Sequence, residues 1–129
     1  MSNICFIGGG NMATSLIGGL IAQGHPADSI SVSDPNESQR EQLIQQYSIN
    51  AFADCGPAMA DADIVVLAVK PQVMKVVALS IAAAITSEAK QPLFVSIAAG
   101  INLFSLQSWL GQEQAIVRCM PNTPSLIQL

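Results

Sequence analysis

Three consecutive glycines, Gly8, Gly9 and Gly10, follow a short apolar run in the stretch FIGGGNMA, residues 6–13. Gly8, Gly10 and Ala13 fit the pattern G-x-G-x-x-A, and the chemistry that such spacing serves is the cradling of a pyrophosphate. The first glycine permits a tight turn, the second lets the backbone approach the phosphates, and a small third residue lets the following helix pack closely on the strand. Phosphate would meet the N–H groups at the helix N-terminus, helped by the helix dipole, with Gly9 and Asn11 contributing backbone donors. A strand-to-helix turn also favours glycine for its own sake, so the rest of the chain must supply the other parts of a nucleotide site.

Further groups lie where those parts belong. Ser33, Asp34 and Asn36 follow a second strand-like run, slightly more than 20 residues past the glycines, where side chains reach an adenosine ribose. Asp34 favours a free ribose diol; Ser33 and Asn36 are small polar groups able to bond a phosphate, so both NAD(H) and NADP(H) are compatible. An N-cap beside Pro35 is the competing role for Asp34. LAVKPQ, residues 67–72, sets Val69, Lys70 and Pro71 at the end of another strand-like run, where Lys70 can face a crevice and bond ribose hydroxyls, a solvated lysine ahead of a helix being the competing reading. SIAAGI, residues 96–101, offers Ala98, Ala99 and Gly100 as small residues beside a flat ring. RCMPNTP, residues 118–124, presents Asn122 and Thr123 as hydrogen-bonding groups on a loop stiffened by two prolines; by composition alone it reads equally as an ordinary turn.

These loops need a frame to hold them in a row. Short runs rich in Ile and Val recur at 3–7, 29–33, 64–69, 93–97 and 115–119, mostly without alternation, as in strands buried on both faces. Helical patterns separate them at 11–23, 36–47, 71–85 and 103–110. Gly24 is placed to stop the first helix, and Pro71 to start the third at a position where its missing N–H costs nothing. In the first helix Met12, Leu16, Gly19, Leu20 and Gln23 share a face, and in the third Val73, Val76, Val77 and Ile81 do. The alternation predicts an α/β, Rossmann-type doubly wound, mainly parallel sheet with helices on both faces.

The 129 residues suit one domain. Half are hydrophobic and 11% charged, which points to a buried sheet or to faces that another domain should cover. With five Lys and Arg against nine Asp and Glu there is no basic stripe, so nucleic acid and anionic membranes are excluded as partners. The longest apolar candidate, 73–85, is interrupted by Lys75 and Ser80, and no signal peptide precedes the first run. Three spaced cysteines and one histidine suggest free thiols, no metal site and a cytoplasmic location. The apolar end, 125–129, reads as a domain cut from something longer.

FIGGGNMA, AVKPQ, SIAAGI and RCMPNTP, in this order and over essentially the whole chain, resemble the pyrroline-5-carboxylate reductase family. That resemblance implies reduction of 1-pyrroline-5-carboxylate to L-proline with NADPH or NADH, the last step of proline biosynthesis. By position it implies that 8–12 cradle the pyrophosphate, Ser33, Asp34 and Asn36 surround the adenosine ribose, and Val69, Lys70 and Pro71 contact the nicotinamide side. Ala98, Ala99 and Gly100 would lie near the ring, with Asn122 and Thr123 where cofactor and imine meet. The family continues into a helical C-terminal domain that forms a homo-oligomer and supplies most of the substrate pocket; that domain is absent from this chain. A reductase of the β-hydroxyacid dehydrogenase type would share the glycine loop without MPNTP, and a non-catalytic dinucleotide-binding module would share the fold alone.

Overall fold

Period-two alternation sorts the strand side chains into two cores, one on each face of a single sheet. The computed structural model describes residues 2–85, 91–98, 100–111 and 114–119. In chain order these form β1 (Ile4–Ile7), α1 (Asn11–Ala22), a 3-10 turn at Ala27–Ser29, β2 (Ile30–Ser33), α2 (Glu37–Tyr47), β3 (Asn50–Phe52), α3 (Cys55–Met59), β4 (Ile64–Leu67), α4 (Pro71–Ala84), β5 (Leu93–Ser96), α5 (Leu103–Leu110) and β6 (Ala115–Arg118). The sheet runs β3-β2-β1-β4-β5-β6, and every pairing is parallel. Strand order therefore reverses at β1, which lies between β2 and β4 with Ile4 opposite both Ile30 and Ile64.

Cys5, Ile7, Val65, Leu67 and Phe94 point to one face, where Met74, Ala78 and Ile81 of α4 and Leu106 and Leu110 of α5 cover them. Phe6, Ile30, Val32 and Val66 point to the other, under Ala13, Leu16 and Ile17 of α1 and Leu43 of α2. Burying each large side chain of this kind stabilises by about 1.5–3 kcal/mol, which is why unalternated Ile and Val runs settle in a sheet covered on both sides. Among the described residues the second face is thinly covered beyond α1. A groove of about 470 Å³ opens there over β4 and β5, lined mainly by apolar side chains including Phe6, Val66, Val95 and Ile97.

The ends of the elements follow local chemistry. Gly24, at φ +96°, closes α1 with its N–H on Ile21 O, and the His25 N–H returns to Leu20 O. Ser48 adopts the left-handed conformation at φ 60° and ends α2. Pro71 occupies the first turn of α4. Two helix faces differ from the sequence expectation. In α1 the buried positions are Ala13, Leu16 and Ile17, while Met12 is 37% exposed. In α4 they are Met74, Ala78 and Ile81; Val73 and Val76 point outward. Small residues at 13 and 78 let these helices sit close to the sheet, and that approach rotates the larger Met12, Val73 and Val76 away from it.

Candidate functional site

Hydrogen bonding continues one residue past most strands and lines their carboxyl ends up in a row. Asp34 N–H donates to Phe52 O at 3.0 Å, Gly8 N–H to Ser33 O at 2.8 Å, Ala68 N–H to Ile7 O at 2.9 Å and Cys119 N–H to Ser96 O at 2.8 Å. The loops after β2, β1, β4 and β5 thus rise side by side along one edge. The crevice between the loops after β1 and β4 lies at the reversal of strand order, the place where open α/β sheets hold ligands.

Each glycine of the triplet has a separate duty. Gly8 lies at φ +101°, and a Cβ there would stand 2.9 Å from Ala68 O and 3.1 Å from Val69 Cγ1, so its lack of a side chain lets the first loop touch the β4 loop. Gly9 is buried: its N–H donates to Asp34 Oδ2 at 2.9 Å, and its carbonyl accepts from Gln39 Nε2. Gly10 caps α1 with no side-chain bond, is exposed, and would carry a Cβ into open space with nothing within 4 Å. The first intrahelical bond runs from Thr14 N–H to Gly10 O at 2.9 Å, so the N–H groups of Asn11 and Met12 have no acceptor inside the helix. Open space beside Gly10, facing those donors and the positive end of a twelve-residue helix, suits an anion.

On the β2 side the structure departs from the sequence expectation in detail. Asp34 turns its carboxylate back under the glycine loop, with Oδ2 on Gly9 N–H and Oδ1 on Asn36 N–H at 2.8 Å. Gly9 therefore spends its N–H on Asp34 and has none for a phosphate. Asn36, not Asp34, is the N-cap of α2, its side chain accepting from Gln39 N–H at 3.1 Å. Ser33 is 5% exposed and its hydroxyl lies 3.8 Å from Cys55 Sγ, directed into the sheet–α3 packing. Two residues that sequence reasoning passed over join this cluster: Gln39, through the Gly9 carbonyl, and Arg40, whose Nη1 donates to Asp34 O at 2.8 Å. Their signal was positional, since the first turn of a helix that starts beside the second strand points back at the first loop.

Across the crevice, Val69 is half-buried beside Gly8, while Lys70 is exposed as the N-cap of α4, ahead of the exposed Pro71. Ala98 is buried at the end of β5, and Gly100, exposed at φ +83°, supplies the turn toward α5. Ala99, Asn122 and Thr123 lie outside the described residues. Among the described residues no group of three His, Cys, Asp or Glu is placed to hold a metal ion, and no helix is long and apolar enough to cross a membrane. The cysteines are free; burial pushes the Cys5 thiol up to about 12, so it is no nucleophile.

The chain shares this arrangement with proteins of known kind. A family profile described as NADP oxidoreductase, coenzyme F420-dependent, matches residues 3–100. The chain is 54% identical over 125 residues, 97% of its length, to a pyrroline-5-carboxylate reductase of Pseudomonas aeruginosa, and covers 45% of that protein. A solved pyrroline-5-carboxylate reductase of Coxiella burnetii superposes with a TM-score of 0.88 at 36% identity, over 98% of this chain and 46% of that one. The Plasmodium falciparum pyrroline carboxylate reductase, solved with NADP bound, gives 0.79 at 27% identity, over 98% of this chain and 44% of the other. The chain spans about half the length of the relatives it matches.

Proposed function

This chain belongs to the family described as NADP oxidoreductase, coenzyme F420-dependent, and from that premise we propose that it is the dinucleotide-binding half of a pyrroline-5-carboxylate reductase. The reaction is reduction of the C=N bond of 1-pyrroline-5-carboxylate to give L-proline. The observation that carries the reading is 54% identity across 97% of the chain to a reductase of that name. The geometry supports it at the glycine loop, where open space beside Gly10 and the N-terminus of α1 fit the pyrophosphate of NADP(H) or NAD(H).

Bound in this crevice, the nicotinamide dinucleotide supplies hydride to the imine carbon. The chain's own part is placement. Asn11 and Met12 offer N–H groups to the pyrophosphate, and Gly8 brings the β4 loop against the first loop so that both border the same crevice. Val69, Lys70 and Pro71 border the nicotinamide side, and Ala98 and Gly100, small residues after β5, leave room for its ring. By the family resemblance Asn122 and Thr123 flank the imine. The other half of the protein closes the substrate pocket and joins subunits into a homo-oligomer, and the three free cysteines suit a cytoplasmic setting.

The test is an assay of the full-length protein, both halves together, for NADPH or NADH oxidation dependent on 1-pyrroline-5-carboxylate, with the product identified as L-proline, alongside calorimetric titration with each dinucleotide; this chain alone, without the half that closes the substrate pocket, should bind a dinucleotide without turnover. Turnover to proline by the full-length protein is expected. Dinucleotide binding without proline formation by the full-length protein would overturn the substrate assignment, and absence of binding would overturn the phosphate cradle itself.

A further inference from the structure

Resting on the reading above only for the existence of a second half, we infer that the apolar groove on the second face of the sheet is the seat of that half, which packs into it from the same polypeptide and brings a hydrogen-bonding group to His25. The crossovers explain why the groove is there. From β1 to β3 the chain steps outward with α1 and α2 on the second face, and from β4 to β6 it steps the other way with α4 and α5 on the first. Among the described residues the second face of β4, β5 and β6 is left without a helix of its own, although all-parallel sheets occur almost only with both faces covered. The side chains register the gap. Ile64 and Val95 belong to interior strands yet are only half-buried, and Val117, paired with Val95, is 48% exposed.

Three observations choose the occupant. Cys119, just past β6, packs against the core of the second face, so the described chain stops on the groove's side of the sheet. The relatives are about twice as long as this chain, enough to supply a further layer. No Asp, Glu, Lys or Arg lines the groove, so it offers no charge to steer or select a separate partner, and its composition suits a permanent interface. One polar atom interrupts the apolar lining. His25 Nε2 is buried and bonds to nothing among the described residues. A wholly apolar cover would seal that nitrogen away unpaired, so the segment that lies there carries a hydroxyl, a side-chain amide or a backbone group opposite it. Ser2, Ile4 and Ile64 set this part of the groove at the amino ends of the strands, away from the glycine loop at the carboxyl edge. The contact is therefore separate from closure of the substrate pocket.

The experiment uses the full-length protein with Leu20, which lines the groove, replaced by the photoreactive p-benzoylphenylalanine. Light and isotope-labelled copies are mixed until native mass spectrometry shows that subunits have exchanged, then irradiated and mapped by peptide mass spectrometry. Cross-links from position 20 to a peptide beyond residue 129 are expected, light to light and heavy to heavy only. Light-to-heavy products would seat a second copy in the groove and overturn the inference, as would the absence of any cross-link beyond residue 129. Hydrogen exchange of the cross-linked peptide then reads the His25 contact in variants shown by circular dichroism to be folded. In His25→Leu its protected amides should exchange about 5- to 100-fold faster, the effect of stranding a buried polar group. His25→Gln, which keeps a polar atom near the Nε2 position, should recover most of the protection. Unchanged exchange in His25→Leu would overturn the hydrogen bond. Proline formation by a protein that gives no such cross-link would overturn this inference alone, whereas the expected cross-link in a protein that makes no proline would overturn the proposed function alone.

Discussion

Substituting alanine at Gly8 and at Gly10 separates the two things a glycine loop does. At Gly8 the added Cβ meets a backbone carbonyl, Ala68 O, at 2.9 Å, and Ala68 C and Val69 Cγ1 at 3.1 Å, in a residue held at φ +101°. The conformation alone costs an L-residue about 1–2 kcal/mol, and the contact adds a comparable amount because strand-end backbone on both sides must part. Gly8→Ala should lose about 3 kcal/mol, which for a domain of this size lowers Tm by about 10 °C. At Gly10 the backbone lies at φ −75° and the Cβ meets nothing within 4 Å, so Gly10→Ala leaves the fold within about 1 kcal/mol of wild type, the cost of alanine at an N-cap. Its methyl stands instead in the space proposed for the pyrophosphate, and dinucleotide affinity should fall at least about tenfold, with Gly10→Val abolishing binding. Thermal unfolding by circular dichroism reads the first effect and calorimetric titration the second. Equal melting of the two alanine variants would refute the packing argument, and undiminished affinity in folded Gly10→Ala would refute the cradle.

Asp34→Ala strips the acceptor from the buried Gly9 N–H and from Asn36 N–H, and should cost about 1–3 kcal/mol in urea unfolding while weakening NADPH and NADH alike. Cys5, fully buried and with its thiol pushed up to about 12, should resist maleimide at pH 8 until the protein is unfolded, whereas the half-buried Cys55 and Cys119 react first; peptide mapping of the labelled protein distinguishes them. Asn102→Ala removes the side-chain oxygen that accepts from Ser105 N–H at 2.8 Å at the start of α5, and should lower stability by about 1 kcal/mol by the same urea measurement, with no change in dinucleotide binding.

The parts of this architecture with strong local signals were legible in the sequence. Runs of Ile and Val marked β1, β2, β4, β5 and β6, and glycine and proline marked the ends of α1 and the start of α4. What escaped notice has weak local signal. β3 is three residues long, Asn50–Phe52, with one aromatic to announce it, and owes its existence to the free edge of β2. α3 contains both Gly56 and Pro57, residues that argue against a helix until α4 and the sheet pack on its five residues. The glycine loop could be placed, but its internal wiring could not. Asp34 and Ser33 carry groups that suit a ribose, and only the fold shows that the carboxylate turns to Gly9 and the hydroxyl to Cys55. Likewise the periodicity of α4 admits more than one apolar face, and proximity to the sheet selects the one with Ala78.

The pairing of β1 with β4 also dictates an order of assembly. Ile4 meets Ile64 and Ile7 meets Leu67, so the central joint of the sheet joins residues about sixty positions apart, while β1 with β2 and β4 with β5 close much shorter loops. Closing the longer loop costs about 0.6 kcal/mol more per doubling of length, and parallel pairing across such separations is slow, so each half is expected to form ahead of their joining. The crevice lies on that joint, so it exists only after the last search is over. Refolding followed at once by far-ultraviolet circular dichroism and by dinucleotide fluorescence should show helix content returning ahead of binding, because a ligand that spans the seam has nothing to hold until the seam has closed.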